Sequence, residues 1–469
     1  MLIDLLIVLY CIVLYGFVAR SCPMTLALIL CPYLSGDMTR LFQTLERLIT
    51  TAQVRAAKIP KRVMLLVGGS GWLGQQIVSA FRQPYSDSNS SATPVSNSNS
   101  DSDSNSNNLL SSLPVYLSDT HDLHVPYLST RPYFLPPHQC HHLDLSSPEQ
   151  CEALIATLKP DIILNTAAMS SPAACQKHPT VAATINCPSP LLSAVHTHTP
   201  SALVLFTSTD LVYNGDSAPY APTSPNDLPS LPPGNVYGAT KLAGEQQICL
   251  LPHGLVFRLS NMVGGNFTFA APKNGGMKFL SWVQQSLEAR AMVSLKNDEY
   301  RSFVLSSDIT TLLLNVCRLF IAGRLPPSHP CWAQRVYNAG GPYGLSRLDF
   351  ARQVASAQKV ALLVHTSPDT NTNTSDTNTD PAVTAVTRDV WQVVAMSSLD
   401  MARAAAEKEA TSDTRPDLDT DQKQSRRLLA LQATLPPQDV TMDSSLTEAH
   451  FQFSFSSIES GMASCLCKI

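Results

Sequence analysis

A chain of 469 residues with 32 Lys and Arg against 36 Asp and Glu carries a net charge of −4, and no basic stripe interrupts that balance. Nucleic acid is excluded as a partner on this ground, because phosphate binding needs clustered positive charge. The twelve cysteines are scattered without a Cys-x-x-Cys pair, which argues for reduced thiols, mostly buried, rather than a disulfide framework.

From the N-terminus, Leu2–Val18 is apolar except for Asp4, and Met24–Leu34 is a second apolar run beyond Arg20. Neither run by itself clearly reaches the ~20 residues that cross a bilayer. A signal peptide opens on a basic segment, not an acid. Residues 1–60 are therefore expected to be a leader, a membrane anchor through residues 1–35 if that segment is retained, or a stretch ahead of a true start at Met38. The remainder reads as a cytoplasmic or organellar enzyme.

Arg62–Val67 is a short apolar run of the kind a buried parallel strand needs. It runs into Gly68-Gly69-Ser70-Gly71-Trp72-Leu73-Gly74, and Gln75–Phe81 continues with helical spacing. Strand, glycine turn and helix in that order let the backbone approach a pyrophosphate, whose charge meets the free N–H groups of the helix start. Residues 86–108 are dominated by Ser, Asn and Asp. Such a segment buries too little apolar surface to fold, so 86–112 is expected to be a disordered insertion. A second strand is expected near Pro114–Leu117. Asp119 after it would hold a ribose 2′-hydroxyl and favour NAD, whereas Arg131 would meet the 2′-phosphate of NADP. The insertion spoils the register and leaves both open. His138, Cys140, His141 and His142 lack a second ligand pair and run straight into Leu143-Asp144-Leu145, so no metal is expected.

Beyond a helix at Pro148–Leu158, the strand Asp161–Asn165 leads into Thr166-Ala167-Ala168, whose small side chains let a cofactor lie against the strand end. Helical spacing resumes from Val181, and Ala202–Phe206 is another buried strand. Alternation of this kind predicts a parallel doubly wound sheet. Thr207-Ser208-Thr209-Asp210 then lies at a strand's carboxyl end, where such folds place ligands. A hydroxyl there steadies the charge that develops on a carbonyl oxygen. Tyr237 opens a helix that carries Lys241 one turn on and Glu245 one turn further. An ammonium beside a phenol lowers its pKa, which makes Tyr237 a proton donor, Lys241 its support and the partner of a nicotinamide ribose, and Thr209 the orienting hydroxyl. Tyr-x-x-x-Lys alone arises by chance about once in a chain of this length. The glycine turn and Thr209 give it meaning.

As a set, these motifs resemble the extended short-chain dehydrogenase/reductase superfamily and, within it, the dTDP-4-dehydrorhamnose reductase (RmlD-like) family. Gly68-x-x-Gly71-x-x-Gly74 is similar to the cofactor motif, Phe206–Gly215 to the family's S-T-D-x-V-[FY]-x-G segment, and Asn235–Glu245 to its N-x-Y-G-x-[ST]-K-x-x-[GA]-E segment. Asp298–Arg301 with Val304–Ile309, Tyr337–Pro342, Leu345–Phe350 and Pro437–Ser445 resemble its later blocks. The likeness covers residues 62–365 and 436–460. It implies an α/β protein with a Rossmann-type doubly wound parallel sheet over 61–260 and a small C-terminal substrate-binding subdomain from 261–365 and 436–460. Residues 366–435, rich in Thr, Asn and Asp at their start and in charge further on, are expected to be a largely disordered insertion.

The resemblance further implies a reductase of a nucleotide-linked 4-keto-6-deoxy sugar with NADP(H) ahead of NAD(H). Cofactor contacts would come from Gly68, Ser70, Gly71, Trp72, Leu73, Gly74, Asp144, Leu145, Ala167, Ala168, Tyr237 and Lys241, and substrate contacts from Asp210, Asn261 and Arg301. The β subunit of methionine adenosyltransferase shares the same motifs and serves as a regulatory subunit. A non-catalytic partner of a methionine adenosyltransferase catalytic subunit is therefore the alternative, and homodimerisation is compatible with either.

Overall fold

The computed structural model describes residues 61–81, 117–129, 131–231, 233–265, 268–269, 279–366, 390–410 and 438–460. The chain divides at Lys61 into two units, and the second, Arg62–Ile469, holds all the elements below. The expected leader over 1–60 and the insertion over 86–112 lie outside the described residues. No described helix is long and apolar enough to cross a membrane.

The strands are β1 (Arg62–Val67), β2 (His121–Tyr127), β3 (Cys140–His142), β4 (Ile162–Asn165), β5 (Leu203–Thr209), β6 (Gly254–Leu259) and the two-residue β7 (Met262–Val263). They continue as β8 (Val293–Lys296), β9 (Tyr300–Arg301), β10 (Val304–Leu305), β11 (Val336–Ala339), β12 (Leu345–Ser346), β13 (Ala361–Thr366) and β14 (Val390–Met396). The longer helices are α1 (Trp72–Phe81), α2 (Pro148–Leu158), α3 (Pro172–Lys177), α4 (Pro179–Asn186), α5 (Ser189–His198) and α6 (Val236–Ile248). After them come α7 (Phe279–Glu288), α8 (Ser306–Ile321), α9 (Arg347–Ala357), α10 (Ser398–Ala410) and α11 (Ser445–Phe451).

Seven strands form one parallel sheet in the order β11-β6-β5-β4-β1-β2-β3. Its two faces sort the apolar residues by the two-residue period of a strand. Met64, Leu66, Leu164, Leu205 and Phe257 pack with Ile77 and Val78 of α1 and Leu312, Leu313 and Val316 of α8. Leu65, Val67, Ile163, Val204 and Phe206 point the other way, against α2, α5 and α6. Burial on both faces is why these strands read as unbroken apolar runs. Because the order reverses between β1 and β4, a crevice opens at their carboxyl ends. This is the expected Rossmann-type architecture.

A smaller parallel sheet, β13-β14-β8, forms the core of a C-terminal subdomain with α7 and α9. Trp391 on β14 is fully buried there, and its indole N–H donates to Ala291 O at 2.9 Å.

Two expectations need correction. Of the second strand expected near Pro114–Leu117, residues 114–116 lie outside the described residues. Leu117 begins a single helical turn, Leu117–Thr120, and the strand that pairs with β1 is His121–Tyr127. Asp119 thus precedes β2, and Arg131 is the charged residue that follows it. Nor is 366–435 insertion throughout, because β14 and α10 occupy 390–410. The run Val390-Trp-Gln-Val-Val-Ala-Met396 is apolar but for Gln392 and rich in valine, which suits a strand completing a small sheet.

Candidate active site

The glycine turn owes its shape to two contacts. Gly68 has φ +89°, and a Cβ there would stand 2.6 Å from Ala167 N, so the turn lies directly against the chain leaving β4. A Cβ at Gly74 would collide with Gly68 O, so α1 packs onto its own turn only without a side chain. Gly71 N–H closes the turn on Gly68 O at 2.9 Å.

Opposite the turn, β5 ends in Thr209. Its hydroxyl accepts from Leu211 N at 3.2 Å and donates to Asp210 Oδ1 at 3.3 Å. The α6 helix starts where Asn235 Oδ1 accepts from Gly238 N at 2.9 Å, a side-chain cap that fixes the first turn bearing Tyr237. Thr240 Oγ1 donates to Tyr237 O at 2.9 Å, and Asn186 Nδ2 donates to Thr240 Oγ1 at 3.0 Å. Asn186 also pairs with both Met169 N (2.9 Å) and Met169 O (3.2 Å), so the first turn of α6 is tied to the loop after β4.

A cleft of about 500 Å³ lies between these parts. Gly68, Gly71, Trp72, Leu73, Gly74, Ala168, Thr209, Asp210, Tyr237, Asn261 and Arg301 all line it. Ser70, Asp144, Leu145, Ala167 and Lys241 are not on its wall. Asp144 is half-buried beyond β3 and accepts from Ser146 N at 2.8 Å, while Leu145 packs on the core beside α2. Lys241 is fully buried behind Phe206, with Nζ 3.8 Å from the ring centroid.

That ammonium has no hydrogen-bond partner, and burial pulls it down to about 7 against the opposing charge of Glu245. An orphaned buried donor is costly unless a ligand completes it. A ribose hydroxyl pair is such a ligand, so the residues present fit a nicotinamide dinucleotide. The expected electrostatic lowering of Tyr237 by Lys241 is absent in the chain alone. Burial dominates and pushes the Tyr237 phenol up, opposed by a hydrogen bond with Thr209 and reinforced by Asp210.

Several residues that the motifs did not single out complete the site. Ser260 Oγ donates to Asp210 Oδ2 at 2.8 Å, and Arg301 Nε stands 3.9 Å from the same oxygen. Burial raises Asp210, with Arg301 opposing. At the cleft's outer edge Glu299 gathers Lys296 (2.6 Å), Arg301 (3.2 Å) and Arg347 (3.6 Å). Burial resists ionisation of Glu299, but these three cations outweigh it and hold the carboxyl below its usual range. Behind the wall, Arg258 Nη2 meets Glu245 Oε2 at 2.6 Å, and both are wholly buried. A lone arginine in the apolar run Leu255-Val-Phe-Arg-Leu259 was the signal that such a partner had to exist.

Residues 62–409 match the RmlD substrate binding domain family. The chain belongs to that family. Among curated relatives, it is 31% identical to dTDP-4-dehydrorhamnose reductase of Salmonella typhimurium over 160 residues, 34% of this chain and 48% of the relative. It is 26% identical to methionine adenosyltransferase 2 subunit beta of Xenopus tropicalis over 191 residues, 40% and 43% of the two chains. The RmlD-family chain thus spans about half the length of the curated relatives it matches. A solved dTDP-4-dehydrorhamnose reductase from Bacillus anthracis in complex with NADP superposes with TM-score 0.53 at 15% identity, covering 87% of this chain and all of that one. WbmG of Bordetella bronchiseptica in complex with NAD gives 0.52 at 15% identity, covering 87% and 94%. Both share the fold.

Proposed function

We propose that this chain is an NAD(P)H-dependent reductase of a nucleotide-linked 4-keto-6-deoxy sugar. The observation that carries the reading is the meeting of the glycine turn, Thr209 and Tyr237 on one cleft, with the unpartnered Lys241 ammonium behind it. The turn Gly68–Gly74 and the free N–H groups of α1 would hold the pyrophosphate, and Lys241 the nicotinamide ribose. A bound nicotinamide supplies hydride. Tyr237 Oη gives its proton to the carbonyl oxygen, which Thr209 orients, and burial keeps that phenol protonated for the task. The cations Lys296, Arg301 and Arg347 line the same cleft and suit a substrate carrying a diphosphate.

NADP is the cofactor favoured by the chain after β2, which offers Arg131 and no acid before Asp144. Arg131→Ala is expected to weaken NADPH binding about tenfold and NADH binding by less than about twofold, on the scale of a lost charge-assisted hydrogen bond. Fluorescence titration of the reduced cofactors measures both, and equal losses would return the choice to NAD.

The central test mixes the purified protein with dTDP-4-keto-6-deoxymannose and NADPH and follows the absorbance of the reduced cofactor. Consumption supports the reductase. A second reading, a regulatory subunit, is favoured by the likeness to methionine adenosyltransferase 2 subunit beta. Cofactor binding without consumption, together with co-purification of a methionine adenosyltransferase catalytic subunit, would select it.

A further inference from the structure

Phe269 ties α1, beside the glycine turn, to the loop after β2. Its N–H donates to Gln75 Oε1 at 2.9 Å, from the first turn of α1. Its carbonyl accepts from Tyr133 Oη at 3.0 Å, and its ring stacks on Phe134 with centroids 4.3 Å apart and planes inclined by 13°. Tyr133 and Phe134 belong to the loop after β2, close to Arg131.

Gln75 is 2% exposed and works in two directions, because its Nε2 also donates to Ser70 O at 2.9 Å within the glycine turn. Trp72 adds a second fastening. Its indole Nε1 donates to Gly265 O at 3.0 Å, while the side chain lines the cleft beside Gly71 and Leu73. Two positions three residues apart on α1 therefore direct side-chain hydrogen bonds to the chain that follows β7. Three segments distant in sequence meet here: the glycine turn, the β2 loop and the chain at Gly265 and Phe269.

In doubly wound folds the glycine turn takes the pyrophosphate and the end of the second strand takes the adenosine ribose. A bridge from α1 to the β2 loop crosses that half of the cofactor. We propose that Trp72, Gln75, Tyr133 and Phe134 form a clasp that closes through Gly265 and Phe269 over the adenosine half of the nicotinamide cofactor and sets how long it stays bound. The inference rests on reading the cleft as a nicotinamide-cofactor site. The clasp residues act on retention rather than chemistry. Their loss speeds departure far more than it changes the association rate, the usual division between the two rates.

The test is stopped-flow displacement of bound NADPH by excess NADP+, with the binding rate measured separately. Trp72→Phe removes one donor and Phe134→Leu removes the stack outside the glycine turn. Each is expected to raise the dissociation rate about fivefold or more, with the association rate within about twofold, and the double variant multiplies the effects. Melting of the cofactor-free protein is followed alongside. Lower melting with an unchanged dissociation rate makes these contacts packing alone and overturns the clasp. An association rate that falls while dissociation holds overturns it too. If the unsubstituted protein binds neither NADPH nor NADH, the cofactor reading fails and the clasp falls with it, a result distinct from the other two.

Discussion

Tyr237→Phe is expected to lower turnover by about 10²-fold or more while leaving cofactor affinity within about twofold. The ring packs against Cys175 and Ala182, and phenylalanine keeps those contacts. Only the hydroxyl that reaches the cleft is lost. The pH profile sharpens the expectation. Burial pushes Tyr237 up, so it remains a protonated donor through neutral and mildly alkaline pH. Lys241 is the group that titrates nearby, because burial holds it at about 7. It is cationic below that pH and neutral above, so kcat/KM for NADPH, which reports the cofactor-free enzyme, should fall as pH rises through about 7. Lys241→Met should abolish that descending limb and run low throughout. Sugar-dependent oxidation of NADPH across pH measures all three proteins. Unchanged turnover in Tyr237→Phe would remove this residue from the chemistry.

The parts of the site that were legible in the sequence are those whose signal is local. Strand, glycine turn and helix follow one another without interruption from Arg62 to Phe81, and each confirms its neighbour. Tyr237 and Lys241 share a helix, so spacing alone sets their relation. The groups that escaped notice are assembled by tertiary contact. Lys296 and Glu299 lie only three residues apart, but Arg347 reaches them from a distant segment because β9 pairs with β12. Strand β2 was misplaced for a different reason. Its sequence His-Asp-Leu-His-Val-Pro-Tyr carries charge and a proline, which read against a strand, yet its register with β1 ends at His124, so Pro126 lies beyond that ladder. In β14, low-complexity flanks masked an apolar, valine-rich run that was there to be read. Lys241 illustrates the limit of spacing. One helical turn placed it beside Tyr237, but whether its charge reaches the phenol depends on Phe206, which comes from another strand.

Breaking the Glu245–Arg258 pair should have the largest effect on stability. Arg258 Nε lies 3.0 and 3.2 Å from the two Glu245 oxygens and Nη2 lies 2.6 Å from one of them, a bidentate arrangement with no exposed atom. The remaining hydrogen-bonding capacity is used as well. Nη1 donates to Tyr213 Oη at 2.9 Å and Thr223 Oγ1 at 2.6 Å, Tyr213 Oη donates to Asn338 Oδ1 at 2.8 Å, and Ser208 donates to Glu245. A pair so complete gains little over well-packed apolar residues, because its formation must offset the desolvation of two charges. Removing one partner is a different matter, since the other charge stays buried and unmatched. Arg258→Met and Glu245→Leu are each expected to destabilise the protein by ~3–5 kcal/mol, read from urea midpoints at constant slope. The double variant Glu245→Leu with Arg258→Met should recover much of that loss, so the cycle yields a strong favourable coupling. Additive losses would mean that the two charges do not sense each other. The pair joins α6, which carries Tyr237 and Lys241, to β6 and, through Ser208, to the end of β5, which carries Thr209. A destabilised single variant should therefore lose turnover before it unfolds, because the distance between proton donor and orienting hydroxyl depends on this join.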